Sequence, residues 1–140
     1  MLAKTAVLAA ALALSAAPAF AAPMKAPDAS MHFKAIAAGN VTQIMSQYAP
    51  KATLYWIGGP LDGSYTGMTA IKGVWTKLAK DKMTEKTTDI VVGMNPDGMT
   101  VTANVEFVGK KKIPVRYVLA YRNRKIVSEI WQIAPNVAMN

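Results

Sequence analysis

The hydrophobic period of this chain changes from helical to alternating after Asp81, and that change limits the folds open to it. Before it, Met68, Ile71, Trp75 and Leu78 recur at spacings of three, four and three, the pattern of one helix face. Lys72, Lys77 and Lys80 fall largely outside that stripe. After it, apolar residues alternate along Thr87 to Val92, Met99 to Val108, Ile113 to Arg122 and Lys125 to Ala134, which predicts strands. Asn95-Pro96-Asp97-Gly98, Gly109 to Lys112 and Asn123-Arg124 supply the turns between them. Helices followed by a meander of strands make an α+β domain in which the helices cover one side of an antiparallel sheet.

Upstream, Asp28 or Ser30 is placed to cap a helix carrying Phe33, Ile36 and Ala37, which Gly39 stops. Asn40 is placed to cap a second helix carrying Val41, Ile44, Met45 and Tyr48, which must end before Pro50. Ala52 to Ile57 reads as a strand, and Gly58, Gly59, Pro60 and Asp62-Gly63 make a turn-rich connection to Tyr65 and Gly67. The Gly63-Ser64-Tyr65-Thr66-Gly67 segment leading into a helix, with the later Lys125-Ile126-Val127, Glu129 and Trp131, resembles the nuclear transport factor 2 superfamily. The likeness is to its SnoaL-like and ketosteroid-isomerase-like branches. It implies a cystatin-like cone over residues 28–140, with three N-terminal helices packed on a curved antiparallel sheet. Members of that superfamily include isomerases, cyclases, hydrolases and proteins without catalysis.

Residues 1–21 read as a secretory signal: Lys4 gives the positive start, Ala6 to Ala17 the apolar run, and Ala19-Phe20-Ala21 the cleavage pattern. The run is too short to cross a bilayer, which takes roughly 20 residues. Residues 22–27 form an Ala/Pro leader. A periplasmic or secreted location follows, and the exported domain stands without disulfides because the chain has no cysteine. Sixteen basic against eight acidic residues give +8, and losing Lys4 leaves fifteen against eight, or +7. The lysines are scattered along a helix face and turns, with one run at Lys110-Lys111-Lys112, so a solvated surface explains them better than nucleic-acid binding. That surface also biases encounter with an anionic small ligand. No stable membrane insertion is expected beyond the signal, and no cofactor motif or His/Asp metal cluster stands out.

Glu106 and Glu129 are the two acids set inside strands. With a two-residue turn at Asn123-Arg124, Arg116, Glu129 and Trp131 share a face, joined by Val101, Ala103, Val105 and Phe107 if Gly109 to Lys112 is a four-residue loop. Arg116 and Glu129 are then expected to pair inside the cone with Trp131 stacked on the guanidinium, and they are the candidate catalytic residues. One bulged residue would separate them. Trp56, Tyr65, Trp75, Trp131 and His32 are the candidate ligand-binding residues, His32 as a border residue of the first helix that more naturally serves packing. The same register puts Tyr117, Leu119, Tyr121, Ile126 and Ile130 on the outer face as a homodimer surface.

The resemblance implies an Asp on the first strand for isomerase chemistry, and here Thr53-Leu54-Tyr55-Trp56 stands in that region. The leading expectation is therefore an exported protein that binds a small, partly apolar or anionic molecule in a hydrophobic cone. The alternatives are an isomerase, cyclase or hydrolase using Glu129 and Arg116, and a non-catalytic dimeric interaction domain.

Overall fold

The computed structural model describes residues 27–134. The expected signal, and all of the leader but Pro27, lie outside the described residues. Pro27 opens helix α1 (Pro27–Ala37), a position that suits its fixed φ and missing N–H. Gly39, at φ 66, ends the helix: its N–H donates to the Ile36 carbonyl and that of Asn40 to the Ala35 carbonyl. Asn40 then caps α2 (Val41–Met45), its side-chain oxygen accepting from the Gln43 N–H at 3.1 Å.

Helix α2 is shorter than its apolar spacing suggests. Tyr48, expected on that helix, instead begins strand β1 (Tyr48–Ile57). Pro50 lies inside β1, where the pairing register is broken between Tyr48 and Thr53, as the lack of a donor N–H requires. The segment around Tyr65 is itself a short strand, β2 (Gly63–Thr66), and Gly67 at φ 87 turns the chain into α3 (Met68–Leu78). The remaining strands are β3 (Thr84–Asn95), β4 (Gly98–Val108), β5 (Lys112–Arg122) and β6 (Lys125–Ile133).

The six strands lie in the order β2-β1-β6-β5-β4-β3. All neighbours are antiparallel except β1 and β6, which pair in parallel, so the sheet is dominated by antiparallel pairing. The α+β cone itself is as expected. Its concave face is a dense core in which Phe33, Ile36, Ile44, Ile71 and Trp75 from the helices meet Leu54, Val101, Val105, Phe107, Leu119 and Trp131 from the sheet. Each such side chain contributes about 1.5–3 kcal/mol by leaving water.

Strand β5 faces the other way from the expected register. The β4–β5 loop is one residue shorter, with Val108 opposite Lys112, so Val115, Tyr117, Leu119 and Tyr121 join Val101, Ala103, Val105 and Phe107 on the inner face. On the other side of β5, Asn123 and Arg124 form the expected two-residue turn with φ 49 and 63, and Arg122 pairs with Lys125. Val127 is then bulged out of register, so that Leu119, not Val118, faces Glu129. The bulge lets Ile126 and Glu129, three residues apart, both point inward. The expected dimer surface is corrected accordingly: Tyr117, Leu119, Tyr121 and Ile126 are core, and of that group Ile130 alone stays outside.

Candidate functional site

The centre of the cone holds a closed polar chain drawn from four elements. Glu129 on β6 and His32 on α1 are both 0% exposed, and His32 Nε2 lies 3.0 Å from Glu129 Oε1. The Tyr48 hydroxyl, at the start of β1, donates a short hydrogen bond to Oε2 and accepts one from the Trp75 indole N–H of α3 at 2.8 Å. With both carboxylate oxygens accepting, the His32 ring nitrogen is the donor of its pair. A buried, unpaired carboxylate costs several kcal/mol, which these two donors offset. Burial first, and then the Glu129 charge, push the Tyr48 phenol well above its ordinary value of 10.0. The same two causes, in the same order, raise Tyr117. Rings of Tyr48, Trp75 and Tyr117 meet His32 edge-on with centroids 5.6–6.5 Å away, leaving the cluster enclosed by aromatic surface.

Arg116 takes no part in this cluster. It is exposed on the opposite face, across from Asn104 and Gln132, because of the shorter β4–β5 loop and the Val127 bulge. The expected Arg116–Glu129 pair is therefore not formed. Residue-type reasoning undervalued His32 and missed Tyr48. His32 adjoins the apolar stripe of Phe33 and Ile36, and its facing acid lies 97 residues away.

A three-ring stack separates the polar centre from solvent. Trp56 lies on Trp131 (centroids 4.3 Å, interplanar 17°), and Trp131 on Phe107 (5.0 Å, 17°). Trp75 packs against both tryptophans edge-on. Beyond Trp56 the cone opens into a cavity of about 520 Å³, walled by Pro60, Leu61, Leu78, Ile113 and Ile133 and bordered by Lys77, Lys80, Asp81, Lys110, Lys111 and Lys112. Tyr65 does not border it; its hydroxyl donates to the Leu61 carbonyl at 2.7 Å and so fixes one wall. A second cavity of about 550 Å³ lies at the opposite end, among the β3–β4 and β5–β6 turns, and mixes Asn95, Asp97 and Arg122 with Met94, Met99 and Val127.

No protein-family profile matches the chain, and no curated protein matches it by sequence. Solved structures do match. A nuclear transport factor 2-like protein of unknown function from Pseudomonas putida superposes with TM-score 0.66 at 13% identity, over 80% of this chain and 88% of that one. A protein of unknown function with a cystatin-like fold from Nostoc punctiforme gives 0.63 at 11%, over 79% and 88%. A ketosteroid isomerase-like protein from Erwinia carotovora atroseptica gives 0.61 at 12%, over 75% and 89%.

This is the nuclear transport factor 2-like fold.

Within that fold, the residues expected to bind a ligand divide in two. Trp56 reaches the cavity at the cone's mouth, while His32, Trp75 and Trp131 are sealed behind it. The centre, filled by Trp75, Trp131, Tyr117, Phe33 and Phe107, fastens α1, α3, β1 and β6 to one another. Among the described residues no group of three His, Cys, Asp or Glu side chains is placed to hold a metal ion. No helix among them is long and apolar enough to cross a membrane.

Proposed function

We propose that this protein is a small-molecule-binding member of the nuclear transport factor 2-like fold, taking a largely apolar ligand into the mouth of its cone. The observation that carries this is the cavity of about 520 Å³ with Trp56, Leu61, Leu78, Ile113 and Ile133 as its walls. Its volume lies in the roughly 300–1,000 Å³ range of small-ligand sites. A catalytic reading centred on Glu129 has no support from the geometry, since both of its oxygens are engaged and a ligand at the mouth is cut off by the aromatic stack.

The test uses the neutral fluorophore N-phenylnaphthylamine. Its fluorescence should rise on binding, and Leu78→Asp, a half-buried position at the end of α3, should abolish the rise without unfolding the domain. An undiminished rise in a folded Leu78→Asp variant would place the ligand elsewhere and overturn the reading.

The same proposal includes export, with cleavage after Ala21, which the mass of the protein recovered from periplasm checks directly. It also includes a homodimer through the outer sheet face. There Tyr55, Ile130, Val118, Thr102 and Val91 align across five strands, with Tyr55 43% and Val91 65% exposed. A monomer by light scattering at micromolar concentration, or a dimer unaffected by Ile130→Asp, would remove that surface from the proposal.

A further inference from the structure

Resting on that reading of the mouth, we infer that its ligand is a single-chain amphiphile with an anionic head group. The walls of the cavity offer an apolar body and little directional polar recognition. The Trp56 indole N–H is committed to the Gly58 carbonyl at 3.0 Å, and the Tyr65 hydroxyl behind the Leu61 wall to its own carbonyl partner. What remains is aliphatic and aromatic surface, which favours a chain without internal polar groups.

The rim has the opposite character. Lys77 and Lys80 approach from α3 and its end, and Lys110 and Lys111 from the β4–β5 loop, so two separate elements bring positive charge to one opening. Lys112 is drawn toward Glu106 at 3.8 Å, but the other four have no carboxylate within salt-bridge distance among the described residues. Lys77 gains from the C-terminal end of the α3 dipole; Lys110 and Lys111 have no such explanation.

Asp81, the single acid of the rim, serves to hold the loop. Its Oδ2 accepts from the Lys110 backbone N–H at 3.2 Å and lies so close to Gly109 that a Cβ there would come within 2.7 Å of it. The basic loop is thereby fixed over the cavity before any ligand arrives. Lysines act as point charges and not as planar forks, so the rim selects negative charge rather than one head-group shape. Carboxylate, phosphate and sulfate heads share the required chemistry, whether the molecule comes free or from a lipid surface.

The experiment follows tryptophan fluorescence of the intact protein with laurate, dodecyl phosphate, dodecyltrimethylammonium and dodecyl maltoside, each below its micelle concentration. Of the three tryptophans, Trp56 alone borders the cavity and should carry the response, which Trp56→Phe removes. The two anions should bind about tenfold or more tighter than the neutral maltoside, and the cation should not bind. Each methylene added to the carboxylate chain should tighten binding by about fourfold. Lys110→Glu with Lys111→Glu should erase the preference for anions while leaving maltoside binding in place.

Equal binding of all four heads, or an anion preference that survives the double charge reversal, would overturn the head-group inference and leave the apolar mouth standing. Binding of none would overturn both. Vesicle sedimentation separates the sources. Lysine-dependent binding to phosphatidylglycerol vesicles and not to phosphatidylcholine, without a response to free laurate or dodecyl phosphate, would assign the lysines to a membrane surface and overturn the single-chain ligand.

Discussion

At the centre of the cone, Glu129 is met by His32 and Tyr48 inside an aromatic shell; at the mouth, four lysines face water without a carboxylate partner among the described residues. The two regions are joined by the Trp56–Trp131 stack, yet their charges have different consequences. A charge answered within the fold is a term in stability. A cluster of like charges left unanswered beside an apolar cavity is available to something outside the protein. The contrast separates two properties that residue type alone merges, since an acid in a strand and a lysine in a turn both look like candidate ligand contacts in a sequence.

The comparison breaks first at Glu129. Glu129→Ala should cost about 3–5 kcal/mol in urea unfolding, because it strips the partner from two buried donors. A loss below about 1 kcal/mol would mean that the centre is not held by this contact. Pairing Glu129→Met with His32→Leu should recover only part of the loss, since the Tyr48 hydroxyl still lacks its acceptor, and a double-mutant cycle reads the His32–Glu129 coupling. Gly109→Ala comes next, at about 1–3 kcal/mol, since its Cβ would meet Asp81 and Met83 at 2.7 and 2.8 Å. It should also displace the basic loop and weaken anion binding at the mouth. At the smallest end, Lys110→Ala, Lys111→Ala and Arg116→Ala should leave the urea midpoint unchanged, while the first two alone alter ligand affinity.

Alkali offers a separate measurement of the sealed centre. Tyr48 and Tyr117 are raised above the unfolded value of 10.0, so the neutral phenols contribute stability that is complete below that pH and is lost as pH climbs through their folded values. Tyrosinate absorbance from these two of the five tyrosines should therefore appear only together with loss of the folded circular dichroism signal. Their appearance in a still-folded protein would show that the centre admits water.

Much of the architecture was legible because it rests on long periodic segments. The α3 stripe, the Gly39 stop, the Asn40 cap and the last three strands all follow from spacing and turn chemistry. Register was not, because a strand's facing flips with each single residue. A β4–β5 loop one residue short and a bulge at Val127 were enough to reverse β5 while leaving β4 and Glu129 on the inner side. Hence Glu129 was found and its partner was not. Tyr48 satisfied the helical spacing of Val41, Ile44 and Met45, and only the tertiary demand for a strand at that point overrides it. At the mouth only Trp56 was anticipated, since Leu78 and Ile133 come to it through the fold and not through any local motif.

The parallel pairing of β1 with β6 has a consequence for how the chain acquires this structure. Tyr55 meets Ile130, and His32 meets Glu129, so the first described elements find their partners in β6. Contacts of that sequence separation raise the loop-closure cost that must be met before they form, which slows folding relative to domains built from local contacts. During synthesis, α1 and β1 emerge well before β6 exists to receive them. The hairpins from β3 to β5 can assemble early, but the inner edge of β1 and the imidazole of His32 must wait until Lys125 to Ile133 have been made. The completed cone therefore waits on β6, which acts as the step that commits it.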